Sequence, residues 1–83
     1  MKTIIFIDAA AKEFDALPSR DREAVLDALS NYAMTGDGDI MRLSGRAGFR
    51  MRVGAYWILF AEDMTTILAL YIGRRSTTTY RRH

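Results

Sequence analysis

Phe49-Arg50-Met51-Arg52-Val53-Gly54-Ala55-Tyr56-Trp57-Ile58-Leu59-Phe60 has the pattern of two alternating strands joined at Gly54-Ala55. A two-residue turn with glycine first is what a type II′ hairpin prefers, and it pairs Val53 with Tyr56, Arg52 with Trp57 and Met51 with Ile58. Successive side chains leave a strand on opposite faces, so Phe49, Met51, Val53, Tyr56, Ile58 and Phe60 share one face. Arg50, Arg52 and Trp57 share the other. The first face is core material, and the second can hold a phosphate and stack a base, which points toward nucleic acid. A register slip of one residue would carry the arginines inward, where unpaired charge is too costly to keep.

Upstream of the hairpin, Met1-Lys2-Thr3-Ile4-Ile5-Phe6-Ile7 reads as a first strand, its apolar run being too short for a signal peptide or a membrane span. Asp8 is the expected cap of a helix through Ala9 to Leu17, with Ala10, Phe14 and Leu17 on one stripe and Pro18 ending it. Ser19 is the expected cap of a second helix to about Met34, with Val25, Leu26, Leu29, Tyr32 and Ala33 facing inward. Gly36-Asp37-Gly38-Asp39 is a turn cluster that lacks the glutamate and ligand spacing of a calcium loop. Short strands come next near Ile40 to Leu43, Phe49 to Val53, Tyr56 to Ala61 and Thr66 to Ile72, with Glu62 to Thr65 as a hairpin loop.

The pattern predicts one α+β domain over residues 1–83, in two layers: a strand, a helical hairpin, then an antiparallel meander with the helices on the Phe49/Met51/Ile58 face. Leu59, Leu68, Leu70 and Ile72 are then left on the arginine face. Either the tail from Ser76 to His83 covers them or another protein does. Gly73 is expected to release the chain into a turn that sets Arg74 or Arg75 near Arg52 and Trp57, with Tyr80 on a short return segment. A frayed basic tail is the plainer alternative.

At 83 residues the chain buries only about 60 to 65% of its unfolded surface, so a partner would add to a thin stability margin. Without cysteine there is no disulfide frame or thiolate metal site, and the lone His83 cannot build a metal centre; no cofactor is expected, and the composition fits a reducing cytosol. The net charge is +2, but it is segregated. Residues 1–39 hold four basic and eight acidic side chains, whereas residues 40–83 hold eight arginines against Glu62 and Asp63. Such segregation suits a polyanion partner or a merely solvated surface; that all eight cations are arginine favours the first, because the planar fork binds oxyanions in pairs.

In chain order, the first strand, the helical hairpin, Leu43-Ser44-Gly45, Phe49 to Tyr56, Ile72-Gly73-Arg74-Arg75 and Tyr80 resemble the RelE/ParE superfamily of bacterial type II toxins over essentially the whole chain. Each motif is weak alone, and the combination is specific. The resemblance implies a small basic toxin that a cognate antitoxin wraps and neutralises in a hetero-oligomer. In the RelE branch it implies an endoribonuclease that enters the ribosomal A site and cuts the mRNA codon there. By the same resemblance Arg50 and Arg52 match the paired basic positions, Arg75 the arginine after the last strand, and Tyr80 the C-terminal tyrosine. Trp57 departs from the pattern, since RelE-type nucleases usually carry arginine directly after the Gly-x-Tyr. Tyr80 also comes after Thr77-Thr78-Thr79 rather than charged residues.

RNA cleavage by its own 2′-hydroxyl needs a base for that proton, cations for the charge gathering on the phosphoryl oxygens, and an acid for the departing 5′-oxygen. Arginine stays protonated, which casts Arg50, Arg52 and Arg75 as phosphate clamps. Tyr80 becomes a base only where neighbouring arginines favour its phenolate. Trp57 suits a stacking wall for a nucleotide, a cation-π neighbour of Arg52, or plain packing on Leu70; Arg74, Arg81 and Arg82 complete the expected RNA-binding set. The competing expectation is a ParE-like toxin acting on DNA gyrase, or a binding member of the family without catalysis.

Overall fold

The computed structural model describes residues 1–75; Tyr80, Arg81 and Arg82 lie outside the described residues. The elements run β1 (Thr3–Phe6), α1 (Asp8–Asp15), α2 (Ser19–Thr35), β2 (Ile40–Arg42), β3 (Phe49–Val53), β4 (Tyr56–Glu62) and β5 (Thr66–Arg74). The strands form one sheet in the order β1-β5-β4-β3-β2. β2 to β5 are the antiparallel meander, while β1 joins the far edge parallel to β5, Thr3 opposite Thr66 through Phe6 opposite Ala69. Among the described residues no helix is long and apolar enough to cross a membrane.

The central hairpin has the pairing that alternation demands: Val53 with Tyr56, Arg52 with Trp57, Met51 with Ile58. Gly54 sits at φ 56 and no non-glycine residue among those described has positive φ, so the turn is II′ in type, with the positive-φ position on the one residue without a Cβ to strain. Met51, Ile58 and Phe60 are buried on the helix side with Ala10, Val25, Leu29, Ile67 and Ala69. Phe60 anchors this core, stacked on Phe49 at 5.6 Å between centroids and edge-on to Tyr32 at 5.5 Å.

Both expected caps are displaced by one residue. Ile7, in extended conformation, holds the cap position of α1, and its carbonyl accepts the Ala11 N–H at 2.8 Å; Asp8 is the first helical residue, where its charge faces the positive end of the helix. Pro18 likewise caps α2 through its carbonyl, which accepts the Asp21 and Arg22 N–H groups, and Ser19 lies inside the helix. Along α2 the buried residues are Val25, Leu29 and Ala33, four apart, with Ala28 and Tyr32 packed beside them as partly buried members of the same face. Leu26 is 42% exposed rather than inward, because it stands about 100° around the axis from Val25. Gly36 at φ 79 ends α2 with its N–H on the Tyr32 carbonyl.

β5 departs most from simple alternation. Leu59 pairs with Tyr71 and Phe60 with Ala69, so Leu70 is an extra residue that bulges the strand. A bulge reverses the facing of every later residue in its strand. Ile67 and Ala69 face the core before it and Ile72 after it, which moves Ile72 from its expected place on the arginine face to a buried one. β4 and β5 also outrun their expected ends, to Glu62 and Arg74, leaving Asp63 to Thr65 as the turn. Asp63 Oδ1 accepts the Thr65 and Thr66 N–H groups there at 2.8 Å each, which holds its carboxyl below the usual range.

A polar clasp closes the sheet end beside β1. Glu62 accepts Lys2 Nζ on one oxygen and the Tyr32 hydroxyl on the other, both at 2.7 Å. Burial pushes the Glu62 carboxyl up, but the bonds from Lys2 and Tyr32 outweigh it and keep it low. Tyr32 is pushed up to about 12, by burial first and then by its bond to that carboxylate. Past Ala69, where β1 no longer flanks β5, Glu13 of α1 accepts the Ile72 N–H at 2.8 Å.

Candidate nucleic-acid interface

The face of the sheet away from the helices carries the arginines. Arg50 of β3 sets its guanidinium carbon 4.4 Å from the centroid of Trp57 on β4, and Arg75, just past β5, lies 5.4 Å from the same centroid. Two guanidiniums therefore converge on one indole. Arg75 is fastened twice across the hairpin turn: its N–H donates to the Ala55 carbonyl at 2.6 Å and Nη1 to the Gly54 carbonyl at 2.7 Å. Arg50 Nη2 reaches only the Met41 sulfur, a weak acceptor. The Nε atoms of both Arg50 and Arg75 are buried, with no hydrogen-bond partner among the described residues. No carboxylate among the described residues forms an ion pair with either guanidinium, so the charge of both is left to meet an incoming anion.

Arg52 stands elsewhere on the same face. It pairs across the hairpin with Trp57, but its Nε forms an ion pair with Asp39 at 2.7 Å, so the arginines resting on the ring are Arg50 and Arg75. Gly73 does not turn the chain; it lies inside β5 opposite Trp57, and the Tyr71 ring covers it so closely that a methyl group there would collide with the ring. β5 thus runs on to Arg74, and alternation sends Arg74 and Arg75 apart. Arg74 pairs with Tyr56 on the helix side, where Nη1 donates to the Tyr56 hydroxyl at 3.2 Å and that hydroxyl donates to Asp21 at 2.8 Å. The bond to Asp21, helped by burial, raises the Tyr56 phenol above its ordinary pKa. Arg42 also sits away from the cluster, over Phe49.

The structure therefore brings Arg50, Trp57 and Arg75 together, sets Arg52 beside them under a carboxylate, and places Arg74 on the opposite side. Asp39 and Tyr71 are neighbours of the site that the sequence motifs do not single out. Asp39 is legible in principle: antiparallel pairing of Ile40 with Met51 puts the preceding residue opposite Arg52. Tyr71 is not, because its place on the arginine face depends on the bulge at Leu70.

No family profile and no curated protein matches the chain. Solved structures do. The isolated RelE toxin of Escherichia coli superposes with a TM-score of 0.78 at 17% identity, covering 98% of this chain and 94% of that one. The chain has the RelE toxin fold. The archaeal RelE-RelB complex from Pyrococcus horikoshii OT3 shares that fold at TM-score 0.78 and 16% identity, over 92% of this chain and 97% of its own. The RelBE2 toxin-antitoxin complex from Mycobacterium tuberculosis gives 0.69 at 28% identity, over 89% and 98%. In the RelE fold seen here the indole and the two stacked guanidiniums occupy the sheet face that the helices leave open.

Proposed function

We propose that this chain is the toxin of a type II toxin-antitoxin pair, a cytoplasmic ribosome-dependent mRNA endoribonuclease held inactive by a cognate antitoxin. The observation that carries the reading is the convergence of Arg50 and Arg75 on Trp57, each with a buried Nε that has no partner among the described residues, on the open face of a RelE fold. The antitoxin is inferred from the neighbours, several of which are RelB-RelE complexes, and from the half-buried Leu59, Leu68 and Leu70 of that same face.

In the proposed reaction the 2′-hydroxyl attacks the adjacent phosphorus, its proton passes to a base, and the 5′-oxygen leaves with a proton, giving a cyclic phosphate and a free 5′-hydroxyl. Arg50, Arg52 and Arg75 supply positive charge to the phosphoryl oxygens as negative charge gathers on them. Trp57 offers its ring to a base. The base role falls to Tyr80, which lies outside the described residues, as do Arg81 and Arg82, proposed to grip the flanking strand.

Induced alone, the chain should arrest translation and leave cuts within codons, mapped as new 5′ ends. Intact messages in arrested cells would refute the nuclease reading. One observation favours a second reading: tryptophan occupies the position where the resemblance expects arginine, which suits a gyrase-directed toxin that needs no phosphate clamp. A supercoiling assay with purified gyrase separates the two.

A further inference from the structure

We infer that Asp39 is a resident competitor for substrate phosphate at Arg52, and so sets how strongly the site grips a single strand; the inference rests on the nuclease reading for the identity of the strand. The ion pair is built into the backbone. The Asp39 carbonyl accepts the Arg52 N–H at 3.0 Å while Oδ2 accepts Arg52 Nε at 2.7 Å, so the carboxylate is tied to this arginine by strand register. The segment that delivers it is pinned as well. Gly36 caps α2, Thr35 Oγ1 accepts the Asp37 N–H at 3.1 Å, and Asn31 Nδ2 donates to the Asp37 carbonyl at 3.4 Å.

A carboxylate presents to a guanidinium the same pair of anionic oxygens that a phosphodiester does. The two anions therefore compete for one fork. Both side chains are about half exposed, 51% for Arg52 and 55% for Asp39, so an outside anion can reach the pair and open it. Because the backbone holds Asp39 in place, its charge stays beside the phosphate after displacement and opposes it. Among the described residues Arg50 and Arg75 have no carboxylate partner and rest on Trp57. Asp39 thus weakens engagement of one clamp out of three. A lone strand then binds poorly, and the full set engages only where further contacts add to the grip.

The test compares the wild-type chain, Asp39→Asn, Arg52→Ala and the double variant. Each is titrated with a short single-stranded RNA, 2′-O-methylated against cleavage, and separately with inorganic polyphosphate. Asp39→Asn should tighten both about fivefold at roughly 0.05 M salt, shrinking to less than about twofold at roughly 0.5 M. For the RNA its logarithmic salt slope should steepen by about 0.7, because Arg52 now gives up a counterion instead of an internal anion. The gain should vanish in the Arg52→Ala background. Unchanged or weaker binding by a variant that melts as the wild type does, an equal gain without Arg52, or no binding of either probe would overturn the inference. Tightening on polyphosphate with no binding of RNA would leave the competition standing and remove the nuclease reading.

Discussion

Replacing Arg75 by alanine separates a role in the transition state from a role in folding. Structurally the side chain gives one charge-assisted bond to the Gly54 carbonyl and one contact with Trp57. An exposed bond of this kind is worth about 0.5–1.5 kcal/mol and an exposed cation-π contact about 0.5–1 kcal/mol. The stability loss is thus about 1–2.5 kcal/mol, a melting shift of roughly 4–20 °C for a domain this small. A chain of this length has a folding free energy of about 4–12 kcal/mol, so roughly nine-tenths or more of the variant stays folded at 25 °C. Unfolding therefore cannot remove more than a small part of the activity. Loss of a donor that stabilises charge in the transition state costs about 10²–10³ in rate, roughly 2.7–4 kcal/mol. The assay is single-turnover cleavage of message on programmed ribosomes at equal folded concentration. Arg75→Ala should lose at least about a hundredfold, and Arg75→Lys, which keeps the charge but not the fork, should fall between. An alanine variant keeping more than about a third of wild-type cleavage would refute the assignment.

Phe60→Ala, which empties the site between Phe49 and Tyr32, should cost about 3–5 kcal/mol and shift the urea midpoint far down; a loss under about 1 kcal/mol would mean the core is not centred there. Glu62→Gln should be less stable than wild type at pH 7. Because the folded carboxyl is held low, its contribution is present above the unfolded value and fades as pH falls through the folded one, so urea midpoints at pH 7 and pH 3 should converge. A gap that does not change with pH would contradict this. At the alkaline end Tyr32, raised to about 12, contributes fully below pH 10 and loses that contribution as pH climbs through 12, a loss Tyr32→Phe should not show. Gly54→Ala forces a Cβ into φ 56 and should cost about 1–2 kcal/mol, read as a melting drop of roughly 4–16 °C without loss of cooperativity.

Whatever depends on local alternation is legible without coordinates. The register of the Gly54-Ala55 hairpin, its two faces and the inward stripe of α2 all come from residue spacing, because burial enforces one parity along a short strand. Legibility ends where one residue interrupts that rule. Leu70 adds a residue to β5, and nothing in an apolar run such as Leu68-Ala69-Leu70-Tyr71-Ile72 marks which member bulges. Ile72 and Arg74 face the helix side for that reason, while Gly73 departs from its expected turn because β5 keeps pairing with β4 as far as Arg74. The caps slip because each helix starts one residue earlier than its polar residue suggests, at Ile7 and Pro18, neither of which makes a side-chain cap bond for the sequence to show. Within the site, the paired strands foretell Arg52 opposite Trp57, but the ring is instead occupied diagonally by Arg50 and by Arg75, because Asp39 draws Arg52 away.

The position of β5 bears on when the protein becomes competent during synthesis. Its neighbours are β1, made first, and β4, made just before it, so the sheet cannot close until Thr66 to Ala69 have left the ribosome. Arg75 reaches the Gly54 carbonyl later still. A nascent chain up to β4 has its hairpin and β2 but lacks both the strand that joins β1 to them and the Arg75 guanidinium, and such non-local closure is slow. The sheet and the guanidinium cluster on its open face are thus completed in one event, the docking of β5 between β1 and β4.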